Sequence, residues 1–373
     1  MGAPQTLAVL SKSETDEESQ DLFSFFERFG IGPPWYGAGK AAFRDLLAAT
    51  GATDGTVLLP AYLPDAVGEP VADLGLDPVY YAIEPDLGPD FAHLDTIMDD
   101  RTVAVLSVNY FGFPQPDHDR IAARTAEYDC IHVEDNAHGP ISVADGDLLG
   151  TRADCGFSSL WKLLPVPNGA VVSITDPTLA DRFDPSTGVG VNHRYEIDDV
   201  RFLCESLAAG LIERHRTLKR SYETLRTGGR HDPATISPRV RYDRSLRPMS
   251  KLTYRALETN DPETIREARR ANYRAWERYI EGCPSVQPMI ADLPTGICPQ
   301  VYPVRVADST AVVNQLIDRG VFGAHSWPRL PPDVRSDPTY ETARTLSREV
   351  VALPVHQYLN PIDIDSLEPL EGH

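Results

Sequence analysis

The sequence predicts a layered α/β fold in which a mostly parallel sheet lies between helices. Short apolar stretches alternate with amphipathic ones from about residue 21 to 180, the order of strand and helix that parallel α/β domains show. The stretch 102–108 is apolar almost throughout, as in a strand that is covered on both faces. After a mostly helical stretch between about 195 and 280, the chain returns to mixed strands and helices.

The individual elements follow from the same periodicity. In residues 40–49, apolar side chains recur on one side of a helix, which begins at a glycine-rich turn. Further helices are predicted at 119–128, at 309–319 and from 361 onward. Strands are predicted at 56–60, 79–83, 102–108, 130–134, 170–174, 300–306 and 350–354. A polar break at 226–230 interrupts the long helical stretch.

Three regions result from this arrangement. We expect residues 1–20, which are polar and acidic, to form a flexible N-terminus. Residues 21–210 are expected to form a large α/β domain. Residues 211–373 are expected to form a helical connection and a smaller C-terminal α/β domain.

The composition excludes several classes of protein. The chain has 35 Lys+Arg against 55 Asp+Glu, a formal charge of −20, which argues against a nucleic-acid partner because phosphate contacts need a basic face. No apolar run is long enough to span a membrane, and the N-terminus lacks the pattern of a signal peptide. We therefore expect a cytoplasmic protein that binds small molecules.

The basic residues and the cysteines also bear on the source of the protein. Only five of the 35 basic residues are lysine, and a surface rich in carboxylates and poor in lysine suits concentrated salt. We expect a halophilic source. The alternative is a GC-rich genome, which also favours arginine over lysine. The five cysteines are widely spaced and contain no C-x-x-C pair, which predicts a reducing compartment without a disulfide framework.

Residues that carry chemistry follow several of the predicted strands. Asp135 comes directly after the strand at 130–134, and Tyr62 comes soon after the strand that ends at Pro60. Lys162 follows the segment 156–158. Because ligands of parallel α/β sheets bind beyond the carboxyl ends of the strands, we expect these side chains to share one site.

These residue types match the needs of pyridoxal phosphate (PLP). The cofactor requires a lysine for a Schiff base, a carboxylate that keeps the pyridine nitrogen protonated and an aromatic face for the ring. Its phosphate suits a helix N-terminus with small residues. Lys162 is flanked by Leu, Trp and Pro, and Asp135 lies 27 residues before it. We assign the lysine to Lys162, the carboxylate to Asp135, the ring-stacking aromatic to Tyr62, and the phosphate to Gly39 with Ser158 or Ser159.

A metal site is a weaker reading of the same region. His132, Glu134, Asp135 and His138 have the side chains of metal ligands. However, His132 and Glu134 point to the same side of one strand, and no distant His or Cys cluster joins them. We therefore expect no metal.

In this order and at these spacings, the motifs resemble the DegT/DnrJ/EryC1/StrS family of sugar aminotransferases, which are enzymes of PLP fold type I. The resemblance covers about residues 30–180 well and 300–370 loosely. The matching segments are YGAGKAA at 36–42, LPAY at 59–62, VNYFG at 108–112, VEDNAH at 133–138, FSSLWK at 157–162 and LPVH at 353–356.

The resemblance implies a role for each matching residue. Lys162 would be the Schiff-base lysine and a proton carrier, and Asp135 would pair with the pyridine nitrogen. His138 would contact the cofactor near its hydroxyl. Lys40 would lie by the phosphate in place of the family's usual threonine. Asn192 would reach the phosphate in a partner subunit.

The function that the resemblance implies is a PLP-dependent aminotransferase working as a homodimer. The donor would be an amino acid, glutamate, and the acceptor a keto group of a nucleotide-linked sugar. Two alternatives stay open. The departure at Lys40 and the poor match over 195–280 allow a PLP enzyme that acts on a non-sugar substrate. A non-catalytic PLP-fold protein that binds a ligand or regulates is the other alternative, and the presence of both Lys162 and Asp135 argues against it.

Overall fold

The computed structural model describes residues 20–370 apart from 187, 214–241 and 244, and for 206–213 it describes the backbone alone. The predicted flexible segment up to residue 19 and the predicted polar break at 226–230 lie outside the described residues.

The larger sheet has six strands in the order β2–β1–β3–β4–β7–β8. β1 to β4 and β7 pair in parallel, while β8 runs antiparallel to β7. The strands are β1 (Thr56–Pro60), β2 (Asp77–Tyr81), β3 (Thr102–Val108), β4 (Ile131–Asp135), β7 (Cys155–Ser159) and β8 (Ala170–Ile174). A short hairpin of β5 (Val143–Ala144) and β6 (Asp147–Leu148) lies between β4 and β7 in the chain. The mostly parallel sheet predicted from the sequence is confirmed.

Helices pack against this sheet through the apolar side chains on one of their faces. In the Gly39–Ala48 helix, Phe43 and Leu46 are buried, and the Phe43 ring stacks on Phe157 of β7 at 5.3 Å. Between residues 20 and 186, the other α-helices are Leu22–Arg28, Glu69–Asp73, Phe91–Ile97, His118–Glu127 and Pro177–Arg182.

The smaller sheet has four antiparallel strands in the order β11–β12–β10–β9. They are β9 (Gln287–Pro288), β10 (Val301–Arg305), β11 (His325–Ser326) and β12 (Val350–Pro354). The α-helices in the described part of this half of the chain are Ile197–Glu213, Lys251–Thr259, Pro262–Glu281, Ser309–Asp318, Pro332–Ser336, Glu341–Glu349 and Pro361–Asp365. The predicted division near residue 210 falls within the Ile197–Glu213 helix and stays a prediction.

Sequence periodicity located most strands closely. The strands predicted at 56–60, 102–108, 170–174 and 350–354 have the observed bounds. The strand predicted at 79–83 instead spans Asp77–Tyr81. Its ends are set by pairing with β1, where Thr56 lies opposite Asp77 and Pro60 opposite Tyr81, and this register is not visible in the apolar pattern of β2 itself.

None of the helices in the described ranges combines the length and the apolar character that crossing a bilayer requires.

We expect Trp276→Leu to destabilise the protein strongly. Trp276 is fully buried, and its indole Nε1 donates a hydrogen bond to the Pro354 carbonyl at 2.7 Å. The smaller side chain leaves a cavity and an unpaired carbonyl, so the free energy of unfolding should fall by about 3 kcal/mol in urea titrations. Ile362→Ala is the control, because Ile362 is 70% exposed. Equal losses in the two variants would contradict the prediction.

Candidate active site

The carboxyl edge of the larger sheet brings the predicted site residues towards one another. β4 ends at Asp135, and its parallel neighbour β7 ends at Ser159. A single helical turn, Leu160–Lys162, follows β7 directly. Because parallel strands end on the same side of a sheet, the Asp135 carboxylate and the Lys162 turn lie at one edge.

Asp135 and Lys162 influence each other electrostatically. Asp135 is 6% exposed, and burial raises the pKa of its carboxyl to about 6, although the Lys162 charge and the Ala137 N–H oppose that rise. The Ala137 N–H donates to Asp135 Oδ1 at 2.8 Å. Burial lowers the pKa of the Lys162 amine to about 8, and the Asp135 charge limits that fall. The pair therefore supplies a carboxylate and a partly neutral amine near neutral pH.

The loop after β4 is held by Asn136, which the sequence analysis did not single out. Its Nδ2 donates to the Gly139 carbonyl at 2.8 Å and to Ser158 Oγ at 3.0 Å. Its Oδ1 accepts from Asn109 Nδ2 at 3.2 Å. These bonds tie the ends of β3, β4 and β7 together and hold the segment from Asp135 to His138 in place.

A second network lies on the other face of β4. The Glu134 carboxylate is fully buried and accepts from Arg152 Nη2 and from Asn109 Nδ2, each at 2.8 Å. The Arg152 charge and these hydrogen bonds lower the pKa of Glu134 despite its burial. The charge pair within this network fixes Asn109, and through it Asn136. Glu134 and Asp135 are consecutive in the chain, so the structural carboxylate and the site carboxylate lie on opposite faces of β4.

His138 is buried with a defined tautomer. The Phe111 N–H donates to His138 Nδ1 at 3.0 Å, so in the neutral ring the proton is on Nε2. Burial, followed by the Lys162 charge, lowers the pKa of His138 well below its ordinary value. Phe111 adopts a left-handed conformation with φ of 59°, which aims its N–H at the ring. His138 is therefore a neutral donor through Nε2.

Aromatic side chains from both halves of the chain form a wall beside this loop. The Tyr62 hydroxyl donates to the Trp327 carbonyl at 2.7 Å, and the two rings lie 5.1 Å apart between centroids. Tyr110 lies 5.7 Å from Tyr62 and 6.0 Å from Trp327. The structure therefore places Tyr62 inside an aromatic cluster. Sequence reasoning did not foresee that Trp327, from beyond β11, accepts its hydroxyl.

The start of the Gly39–Ala48 helix meets the end of β7. A Cβ added to Gly39 would lie 2.9 Å from Ser159 Oγ and 3.1 Å from the Phe157 ring, so a side chain there would fill the space. The preceding residue is Ala38, whose side chain makes no cap to the first turn. The helix N-terminus and the Ser159 hydroxyl together form a small cradle suited to an anion.

Three residues that the sequence analysis assigned to the phosphate contact protein groups in the structure. Lys40 Nζ forms an ion pair with Glu69 Oε2 at 2.7 Å, while Ser158 Oγ accepts from Asn136. The Asn192 N–H donates to the Met249 carbonyl at 2.8 Å, a contact outside the group formed by Asp135, His138 and Lys162. The roles predicted for these three residues stay predictions.

Residues 37–199 match the sequence model of the DegT/DnrJ/EryC1/StrS aminotransferase family. The match spans 163 of the 373 residues, and over this segment the chain is similar to that family. The matched segment contains Gly39, Tyr62, Asp135, His138 and Lys162. A comparison with curated proteins gives no match.

Solved structures of aminotransferases share the fold of the described residues, which confirms the predicted PLP fold type I. The aminotransferase TlmJ from Streptoalloteichus hindustanus is 20% identical with a TM-score of 0.66, over 98% of this chain and 94% of that one. The PLP form of the putative sugar aminotransferase Spr1654 from Streptococcus pneumoniae is 16% identical with a TM-score of 0.67, over 98% and 95%. DesI, solved with its TDP-sugar product, is 18% identical with a TM-score of 0.63, over 96% and 85%.

Aminotransferases of the DegT/DnrJ/EryC1/StrS family depend on PLP, and the residues of this chain fit that cofactor. Asp135 is a buried carboxylate that can face a ring nitrogen, and the Gly39 cradle suits a phosphate. The Tyr110 hydroxyl is buried and has no hydrogen-bond partner among the described residues. Burial raises the pKa of this hydroxyl, and the Asp135 charge adds to the rise. This hydroxyl could therefore donate a hydrogen bond to a bound molecule.

We expect Asp135→Asn to lower the pKa of Lys162 in the cofactor-free protein. The Asp135 charge raises that pKa against burial, so its removal should move the midpoint of Lys162 labelling by an amine reagent down by about one pH unit. The pH dependence is followed by mass spectrometry of the labelled peptide. Asp145→Asn, at an exposed loop position, should leave the midpoint in place. A higher midpoint in the Asp135→Asn variant would contradict the conclusion that the Asp135 charge stabilises the protonated Lys162 amine.

Proposed function

We propose that this aminotransferase takes its amino group from glutamate and transfers it to a keto group of a nucleotide-linked sugar. The observation that carries the proposal is the buried Asp135 carboxylate acting on the Lys162 amine at the carboxyl edge of the sheet. The nucleotide-linked acceptor is supported by the shared fold with DesI, which was solved with a TDP-sugar product.

When bound, PLP would supply an electron sink that stabilises negative charge at the amino-bearing carbon of the donor. Lys162 would hold the cofactor covalently through Nζ and afterwards move a proton. With a pKa of about 8, about a quarter of the Lys162 amines are neutral at pH 7.5, enough to accept that proton. Asp135, with a pKa of about 6, is mostly ionised there and would hold a proton on the ring nitrogen.

The other site residues would bind and orient. His138 would donate from Nε2 to the cofactor's hydroxyl, since Phe111 already occupies Nδ1. The helix start at Gly39 and the Ser159 hydroxyl would hold the phosphate. Tyr62 would present its ring to the cofactor from the aromatic wall that it forms with Trp327. That wall would also exclude water from the reacting centre.

A homodimer would complete the site. Large apolar side chains are exposed beside Lys162 and after Asn192, namely Trp161 at 52%, Tyr195 at 51%, Ile197 at 85% and Val200 at 52%. Such exposure is typical of surfaces that a partner covers. In the dimer, Asn192 would reach the phosphate bound by the other subunit. Sedimentation of the purified protein tests this association.

The cofactor and the donor are tested by absorption spectroscopy. Protein purified in high salt, as its charge of −20 recommends, should show a visible band with PLP. The band should disappear on addition of glutamate, and borohydride should fix the cofactor on Lys162. Lys162→Ala should lack the band, whereas Lys251→Ala should retain it. Absence of the band from folded wild type would overturn the proposal and favour the non-catalytic alternative.

The acceptor is tested separately in the second half of the reaction. After treatment with glutamate, the protein is mixed with keto sugar nucleotides or with simple keto acids, and the return of the visible band is timed. A faster return with sugar nucleotides supports the proposed acceptor. A faster return with simple keto acids would favour the non-sugar enzyme.

The phosphate contacts are tested by cofactor affinity. We expect Ser159→Ala to weaken PLP binding about tenfold, because it removes a hydrogen bond to a charged group. Lys40→Met should weaken it less than about threefold, since the Lys40 ammonium is bound to Glu69. Equilibrium titrations of the two variants are compared. If Lys40→Met has the larger effect, the ammonium leaves Glu69 and binds the phosphate directly.

A further inference from the structure

Arg269 is a buried cation that donates hydrogen bonds to the Lys162 turn and to two segments of the second half of the chain. It lies on the Pro262–Glu281 helix and is 3% exposed. Its Nη2 donates to the Leu163 carbonyl at 2.9 Å and to the Lys162 carbonyl at 3.3 Å. One guanidinium group therefore holds the carbonyls of two consecutive residues, Lys162 and Leu163.

The remaining donors of Arg269 reach the second half of the chain. Nη1 donates to the Pro299 carbonyl at 3.1 Å and to the Gln300 carbonyl at 3.4 Å, directly before β10. Nε donates to Gln357 Oε1 at 2.9 Å, three residues beyond β12. Gln357 Nε2 in turn donates to the Leu163 carbonyl at 3.0 Å. Arg269 and Gln357 thus close a ring of hydrogen bonds between the lysine turn and the smaller sheet.

All five of these Arg269 bonds go to neutral oxygens. Burial lowers the pKa of the guanidinium, so the arrangement carries a desolvation cost that hydrogen bonds to carbonyl dipoles must offset. A buried apolar side chain would fill the same space without that cost. The arrangement is therefore better explained by what the guanidinium holds in place than by packing.

Another arginine on the same helix provides a comparison. Arg270 Nη1 donates to the Ile297 carbonyl at 3.1 Å, and its Nη2 donates to the Leu293 carbonyl at 3.2 Å. Both acceptors lie in the loop before β10. Arg270 thus makes the same kind of bond from the next position of the helix, but to a loop away from the Lys162 turn.

We propose that Arg269 and Gln357 are positioning residues that hold the Lys162 turn against the smaller sheet, so that the placement of the Lys162 amine depends on how the two halves of the chain are seated. The proposal rests on the proposed function in taking Lys162 as the reactive lysine. It adds that the reactivity of this lysine is set partly from the other half of the chain.

The test is competitive labelling of lysines in the full-length protein without cofactor. The rate at which an amine reagent labels Lys162 is measured against pH, with Lys251 as the internal reference. In wild type the midpoint should lie at about pH 8. In Arg269→Met the turn loosens and admits water, so the midpoint should rise by about one unit, which slows labelling at pH 8 about fivefold. Arg270→Met is the matched control and should keep the wild-type midpoint.

Two further variants separate positioning from stability. Arg269→Lys keeps the charge but cannot reach three segments from one nitrogen, so its midpoint should rise as in Arg269→Met. Gln357→Leu leaves the direct Arg269 bonds to the turn and should give a smaller rise. If Arg269→Met fails to fold, Gln357→Leu and Arg269→Lys decide. Folded variants with lowered melting temperature and an unchanged Lys162 midpoint would overturn the proposal.

The labelling result is independent of turnover. Wild type that lacks a visible band with PLP overturns the proposed function, while the midpoints still report on the lysine turn. A normal band with unchanged midpoints in the Arg269 and Gln357 variants overturns the positioning role alone.

Discussion

The electrostatic coupling of Asp135 and Lys162 in a buried space is the constraint on which the rest of the site depends. Burial alone would neutralise both groups, since it raises the pKa of a carboxyl and lowers that of an amine. Each charge opposes that effect on the other, and the outcome is a carboxyl with a pKa of about 6 and an amine with a pKa of about 8. This coupling requires that the ends of β4 and β7 stay adjacent.

Buried polar side chains keep those strand ends in place. Asn136 and Glu134 flank Asp135 in the chain, and neither is exposed. Since buried polar groups that lack partners are costly, their hydrogen bonds to Asn109, Ser158 and the backbone leave the loop few alternative conformations. The site is thus rigid where the carboxylate and the His138 ring are presented.

The second half of the chain completes the site rather than merely covering it. The Trp327 carbonyl accepts a hydrogen bond from the Tyr62 hydroxyl. The Trp327 ring packs against the His138 ring at 5.3 Å between centroids. Arg269 and Gln357 contact the backbone of the lysine turn. Cofactor and substrate would therefore bind among groups whose separation depends on the packing of the two sheets.

The sequence by itself determined the mostly parallel sheet, most of the strand and helix order, and the position of Asp135 at a strand end, because periodicity and strand-end chemistry are local properties of the chain. It did not predict β7, the strand that ends just before the Lys162 turn. Only the tertiary structure decided the partners of the side chains. Lys40 meets Glu69 across 29 residues, and Tyr62 meets Trp327 across 265. Arg269 reaches a turn 106 residues earlier. The physical reason is that a hydrogen bond depends on distance in space, which is set by how helices and sheets pack and not by the spacing of residues along the chain.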